Sequence, residues 1–233
     1  MADTSALPKY IQTAEILVRE IASGRLADGA KLAPEREMAA EMGVAVGTLR
    51  KALSDLTEKG LLERRQGSGN YVRHRSEATG VYAFFRLEAL EGGGLPTAEV
   101  LDISKQAKPT DLPRFGAASV AHRIRRLRHI AGRPAAVEEI WLDGGWTETV
   151  QRSEILESLY LYYRTKLGLW ITRAEDRIGI GTVPGWAPPA FGVAVGAPCG
   201  FIERRSRADT GEVAEYSRTW FNAQVARYVT RMR

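Results

Sequence analysis

The chain has 233 residues, with 33 Lys and Arg against 28 Asp and Glu, and a pI near 9.4. Its 44% hydrophobic and 26% charged residues are ordinary globular values, which excludes global disorder, and the basic balance leans towards acidic partners. The single Cys199 excludes an intramolecular disulfide and a cysteine-based zinc site, and three histidines argue against a metal enzyme. No run of 18 apolar residues offers a membrane span, and "MADTSALPKY" has no secretory pattern, so a cytosolic protein that needs no cofactor is expected.

The first predicted element covers residues 9–23. Tyr10, Ile11, Ala14, Leu17, Val18 and Ile21 recur at three- and four-residue intervals, the mark of an amphipathic helix, which Gly24 ends. A second helix is expected in "LAPEREMAAEMG", where Pro34 suits the first turn, Glu35 and Glu37 favour the positive helix end, and Gly43 suits the C-cap. The third lies in "VGTLRKALSDLTEKG", with Leu49, Ala52, Leu53 and Leu56 as its buried stripe and Gly60 as its stop. Ala39 lets helices two and three approach, Gly43 makes the turn, and Leu49 and Ala52 lock the third helix, as a helix-turn-helix requires.

Next come "LLERR", Gly67-Ser68-Gly69 and "NYVRH", two short strands around glycines. A dinucleotide fingerprint would need a third glycine at position 72 and a following helix. Val72 stands there, and the segment is strand-like. The glycines therefore read as the tip of a wing that approaches a DNA backbone, with Arg64, Arg65, Arg73 and Arg75 for phosphates. Between Gly43 and Arg75, seven Lys and Arg (50, 51, 59, 64, 65, 73, 75) stand against three acids (55, 58, 63). The bland alternative is a solvated hairpin with incidental charge.

Through "PERE.A...GV" and "GTLRKAL..L...GLLERRQGSGNYV", residues 7–73 resemble the winged helix-turn-helix DNA-binding domain of GntR-type bacterial transcription factors. The resemblance implies Arg36, Thr48, Arg50 and Gly67 as DNA contacts, to which the basic wing and helix add Lys51, Arg64, Arg65 and Gly69. The family often carries Ser-Arg after "GV"; Ala45 and Val46 stand here, so a guanine contact is lost and a different operator is expected.

Residues 74–80, "HRSEATG", read as a linker, and 81–233 as a second domain. Strands are expected in "VYAFFRLE", "AHRIRRLRHI", "AAVEEIWLD", "WITRAEDRIGIG", "GFIERRSRAD" and "EVAEYSRTWF". Helices are expected in "SEILESLYLYYRTKLG" and around "APPAFGVAVG". The fold class is thus α+β, with a largely antiparallel sheet in the second domain. In "RIRRLR", Ile124, Arg126 and Arg128 share one strand face, whereas Arg123 and Arg125 on the other read as surface charge. Two guanidiniums on one face repel unless an anion lies between them or carboxylates such as Glu138 or Glu139 pair them. The five tryptophans, Trp141, Trp146, Trp170, Trp186 and Trp220, read as core.

"RIRRLRHIAGRPAAVEEIWL", "SLY" and "GEVAEYSRTWF" resemble the UTRA effector-binding module of the HutC branch of the GntR family, which implies a chorismate-lyase-like fold. The resemblance implies a pocket of Arg126, Arg128, Glu138, Ser158 and Glu215, the arginines holding a carboxylate or phosphate. Arg86 stands where many members carry a hydroxyl, and Phe221 where a tyrosine is common. The resulting expectation is a ligand-responsive repressor, homodimeric on palindromic double-stranded DNA, released by a small anionic effector. Two alternatives stand beside it: a DNA-binding protein whose second domain only dimerises, and a lyase-like enzyme. No catalytic triad, metal cluster or nucleotide loop supports the enzyme, and none is expected.

Overall fold

A computed structural model describes residues 8–22, 25–73, 84–91, 96–155 and 158–230. They form two compact units, one comprising the described residues up to Phe85 together with 229–230, and the other the described residues from Arg86 to Tyr228. The predicted linker at 74–80, Arg75 and the helix stop at Gly24 lie outside the described residues.

In the first unit, α1 (Lys9–Ala22), α2 (Glu35–Glu41) and α3 (Val46–Glu58) surround one apolar core. The stripe read from the sequence, Leu49, Ala52, Leu53 and Leu56, is buried, with Ala39 of α2 packed in the same cluster. Gly43 makes the turn with φ of +62°. The strands β1 (Leu62–Arg65) and β2 (Gly69–Val72) pair antiparallel as the wing, and residues 29–32 join its open side through Leu32 N to Asn70 O and Val72 N to Ala30 O, each 2.9 Å.

The second unit contains β3 (Leu87–Ala89), β4 (Pro96–Ala107), β5 (Val120–Ile130), β6 (Arg133–Asp143), α4 (Leu159–Tyr162), β7 (Ile171–Thr182), β8 (Pro198–Ala208), β9 (Val213–Phe221) and β10 (Ala226–Tyr228). One antiparallel sheet has the order β4-β5-β6-β9-β8-β7: two consecutive three-stranded meanders joined where β6 meets β9. A separate ribbon pairs β3 with β10. One sheet face packs Ile124, Ile140 and Leu142 under Leu159, Tyr162 and Tyr163. The other packs Leu127, Val137 and Trp220 under Phe191 and Trp186. On this second face one transverse row reads Asp102, Arg125, Glu139, Arg218, Glu203, Arg177 from β4 to β7, alternating in sign at every strand.

Several expectations are corrected. The helix expected over 153–168 is broken: a 3-10 turn spans Arg152–Glu154, Ile155 is extended (ψ 121°), and the short α4 runs into a π-helical turn, Tyr163–Leu167. Ser158 caps α4, its hydroxyl accepting from Leu161 N, which starts the helix there. Around "APPAFG" only the 3-10 turn Pro189–Phe191 forms, because Gly192 follows in the left-handed region. Of "VYAFFRLE", residues 81–83 lie outside the described residues, and Phe84–Arg86 are not strand. The long strand β4 was not foreseen. Arg123 and Arg125 are ion pairs with Asp102 and Glu139 rather than loose surface charge, and Trp170 is 51% exposed, not core.

Candidate DNA interface and effector site

The wing is a braced hairpin. Gly67 and Gly69 hold φ of +72° and +127°, conformations that a side chain disfavours. Tyr71, two residues beyond the turn pairing of Arg65 with Gly69, lies under the Arg65 guanidinium (4.2 Å to the ring centre), and its hydroxyl meets Ser68 Oγ at 2.7 Å. A cleft of about 1120 Å³ opens between the wing and the start of α2. Arg36, Arg64, Arg65, Gly67 and Gly69 all line it, so five of the eight sequence-predicted DNA residues meet in one place.

The other three sit on α3. Gly47, Arg50, Lys51 and Ser54 form its exposed side, and Thr48 is half-buried. Arg50 Nε donates to Glu35 Oε2 at 2.6 Å, which ties α3 to the first turn of α2. Lys51 turns towards α1, its ammonium 4.1 Å from the Tyr10 ring centre. Lys31, missed by the sequence reading, also lines the cleft and bridges to Tyr71.

In the second unit, Arg126 sits opposite Glu138, and the alternation of side chains puts Arg128 on the same face. Arg126 Nη2 donates to Glu138 Oε2 at 2.7 Å; Arg128 donates from Nη2 to Oε2 (3.1 Å) and from Nε to Oε1 (3.3 Å). All three side chains are buried. Burial would raise the Glu138 carboxyl, but the charges and hydrogen bonds of Arg128 and Arg126 outweigh it and hold it at about 2.

Glu215 lies on the same face across the β6–β9 joint, in a cradle of hydroxyls. Tyr163 donates to its Oε2 at 2.6 Å, and Ser206 (2.9 Å) and Tyr160 (3.3 Å) donate to its Oε1. Burial pushes the Glu215 carboxyl up, against the hydrogen bonds of Tyr163 and Ser206 and the charges of Arg204 and Arg126. Ser158 caps the helix that delivers Tyr160 and Tyr163, its hydroxyl accepting from Leu161 N.

Two residues along β8 from Ser206, Arg204 makes a forked pair with Asp176 at 2.5 and 2.6 Å, and Tyr228 of β10 donates to Asp176 Oδ2 at 2.6 Å. Arg86 belongs to this third cluster: burial raises the Asp176 carboxyl, but Arg204, Tyr228 and the charge of Arg86 hold it below its ordinary range. The structure thus brings Arg126, Arg128 and Glu138 into contact, with Glu215 near enough to feel the Arg126 and Arg204 charges, and places Arg86 near Asp176. Tyr160, Tyr163, Ser206, Arg204, Asp176 and Tyr228 were not read from the sequence. The spacing of Tyr160 and Tyr163 after the cap at Ser158 was the available signal for two of them. Phe221 shares the face of Arg128 and lies so close over Gly200 that an added Cβ would meet its ring at 2.1 Å.

No helix among the described residues is long and apolar enough to cross a membrane. The family model of bacterial regulatory proteins of the gntR family matches residues 9–72, and that of the UTRA domain matches residues 91–227. The chain is 63% identical to the HTH-type transcriptional regulator SmoD of Agrobacterium fabrum over 98% of its own length and 97% of that protein. It is 26% identical to the HTH-type transcriptional repressor NagR of Bacillus subtilis, covering 92% of this chain and 90% of the relative. In fold it is similar to the crystal structure of YydK from Bacillus subtilis, described as a possible transcriptional regulator: TM-score 0.55 at 20% identity, over 97% of this chain and 100% of that one.

Proposed function

The chain belongs to the GntR family of bacterial transcriptional regulators, with a helix-turn-helix DNA-binding domain and a UTRA effector-binding domain, and from that premise we propose that it is a repressor released from a palindromic operator by a small anionic effector. GntR regulators bind DNA and UTRA domains bind small-molecule effectors; the families and relatives matched here are regulators rather than enzymes. In this reading residues 7–73 bind DNA, 74–80 link, and 81–233 bind effector and dimerise.

The observation that carries the anionic effector is the convergence of Arg126 and Arg128 on one carboxylate. Two buried guanidiniums aimed at one point offer a carboxylate or phosphate of the ligand charge-assisted hydrogen bonds in a low-dielectric site. Glu138 fixes their directions, and the Glu215 cradle, with Ser158 supporting its helix, accepts hydrogen bonds from ligand hydroxyls or amines. Arg86 acts on the β3 side of the same domain.

On DNA, α3 enters the major groove with Thr48, Arg50 and Lys51, while the cleft with Arg36 and the wing with Arg64, Arg65, Gly67 and Gly69 follow the backbone. A homodimer is proposed because one winged helix reads too few bases alone, and paired half-sites mirror protein symmetry. Release on effector binding, and hence a repressor, agrees with the relative named as a repressor, NagR. Coupling requires the effector to favour one conformation, and the same free energy then opposes effector binding on operator.

The testing experiment measures operator affinity with and without candidate carboxylates and phosphates for the native chain and for Arg128→Ala. The expected result is a folded variant that binds operator and no longer releases it. A variant that still responds would overturn the pocket; one that loses operator binding through unfolding would favour a purely structural Arg128–Glu138 pair.

A further inference from the structure

The face of the sheet opposite Arg126 and Arg128 carries an opening of its own. Side chains alternate along β8, so Arg204 and Ser206 share the face of Glu215, while Glu203 and Arg205 lie on the other. A cleft of about 380 Å³ opens there, lined by Glu203, Arg205, Tyr216, Leu112 and Pro113 among others. The loop that walls it is pinned to β9. Arg218 donates to Asp111 Oδ2 at 2.7 Å and to the Asp111 carbonyl at 3.1 Å.

The charges that line the cleft are satisfied unequally. Asp111 has Arg218, and Glu175 has Arg177 at 3.2 Å along its own strand. Glu175 stands opposite Arg205 in the pairing of β7 with β8, and Arg177 opposite Glu203. Neither cross-strand ion pair forms, and among the described residues the half-buried Arg205 guanidinium has no carboxylate partner. Glu203 accepts the Tyr216 hydroxyl at Oε1, and among the described residues its Oε2 accepts nothing. An unpaired cation and a half-used carboxylate thus sit two residues apart on one strand, roughly 6.5–7 Å between α-carbons, beside an apolar wall.

We propose that this cleft binds a small aliphatic amino acid as a second ligand, its carboxylate on Arg205, its ammonium on Glu203 and its side chain against Leu112 and Pro113. The charge pattern selects that class. A simple anion would meet Glu203 and Glu175 along with Arg205, and a simple cation would meet Arg205 and Arg177 along with Glu203. A zwitterion can turn each end to its opposite. The Arg205 fork matches the two oxygens of a carboxylate, and the open Glu203 oxygen takes an ammonium proton. The site uses no residue of the Arg126–Arg128 cluster, so it stands or falls apart from the effector reading.

The test is calorimetric titration of the full-length chain with L-valine, L-leucine and L-isoleucine, and with the N-acetyl and amide derivatives of each. At least one of the three should bind. Its derivatives, each lacking one charged end, should bind more weakly by about tenfold or more. Arg205→Gln and Glu203→Gln should each weaken binding of the parent amino acid by a similar factor. Glutamine at position 203 can still accept from Tyr216, and melting curves verify folding. The derivative comparison needs only the native chain, so it decides the matter even where a variant fails to fold. Absence of binding by all three at millimolar concentration overturns the proposal, as does a derivative held as tightly as its parent. Binding lost in Arg128→Ala but unchanged in Arg205→Gln would put the ligand on the opposite face and overturn it too.

Discussion

Arg128 grips Glu138 with two hydrogen bonds, Nη2 to Oε2 at 3.1 Å and Nε to Oε1 at 3.3 Å, and Arg126 takes the same Oε2 at 2.7 Å. The sharing makes the three residues unequal under mutation. Arg128→Ala leaves Glu138 with Arg126, so the fold should survive with a small loss in melting temperature, while the response to effector disappears. Glu138→Ala takes the common carboxylate from two buried cations and should cost about 3–5 kcal/mol in urea unfolding. An equal loss from both changes would mean that the pair acts only as a structural unit.

The same carboxylate sets an acid limit. With its folded value held at about 2 and its ordinary value at 4.5, Glu138 contributes stability that is fully present above 4.5 and lost as pH falls through about 2. Unfolding free energy of Glu138→Gln should therefore fall less steeply than that of the native chain across this window, as measured by urea titrations at successive pH values.

Arg50 illustrates a residue with little structural value and a large expected functional one. Its pair with Glu35 is solvent-exposed, so Arg50→Ala should change stability by less than about 1 kcal/mol. Operator affinity should drop by about 1–3 kcal/mol if the guanidinium contacts a guanine edge. Fluorescence anisotropy on operator DNA separates this from a contact to phosphate, which would weaken all sequences alike.

Gly67 has open space around its α-carbon, with nothing within 4 Å of an added Cβ, so Gly67→Val would meet no clash in the free protein. Its φ of +72° is the obstacle, at a cost of about 1–3 kcal/mol of local strain. Operator binding should weaken while the thermal shift produced by effector is unchanged, since the two units have separate cores.

The first unit was legible because its signals are local: one apolar stripe per helix, and glycines where the chain turns. In the second, β5, β6, β7, β8 and β9 were each expected from their own residues, whereas β4 was not. "PTAEVLDISKQA" is mostly half-buried at an edge, so Asp102 and Lys105 dilute any apolar alternation. The helix expected over 153–168 carried enough apolar residues to look continuous, yet Ile155 is extended and Ser158 restarts the chain. Of the proposed effector cluster, Arg126 and Arg128 could be placed on one face by counting alternate residues. The Arg204–Asp176–Tyr228 contacts could not, because they join three strands whose pairing no local pattern encodes.

The two meanders that meet at β6 and β9 have a consequence for the order in which the domain completes itself. Within each meander every neighbour is also a sequence neighbour, whereas the joint ties residues 136–142 to 215–221, the costliest loop to close. Arg126, Arg128 and Glu138 belong to the first meander, and Ser206 and Glu215 to the second. A molecule held by both clusters would thus act as a clasp across the last seam to form. The amides of β6 and β9 would exchange with deuterium more slowly once it is bound, and chains with an open seam would have no site to offer it.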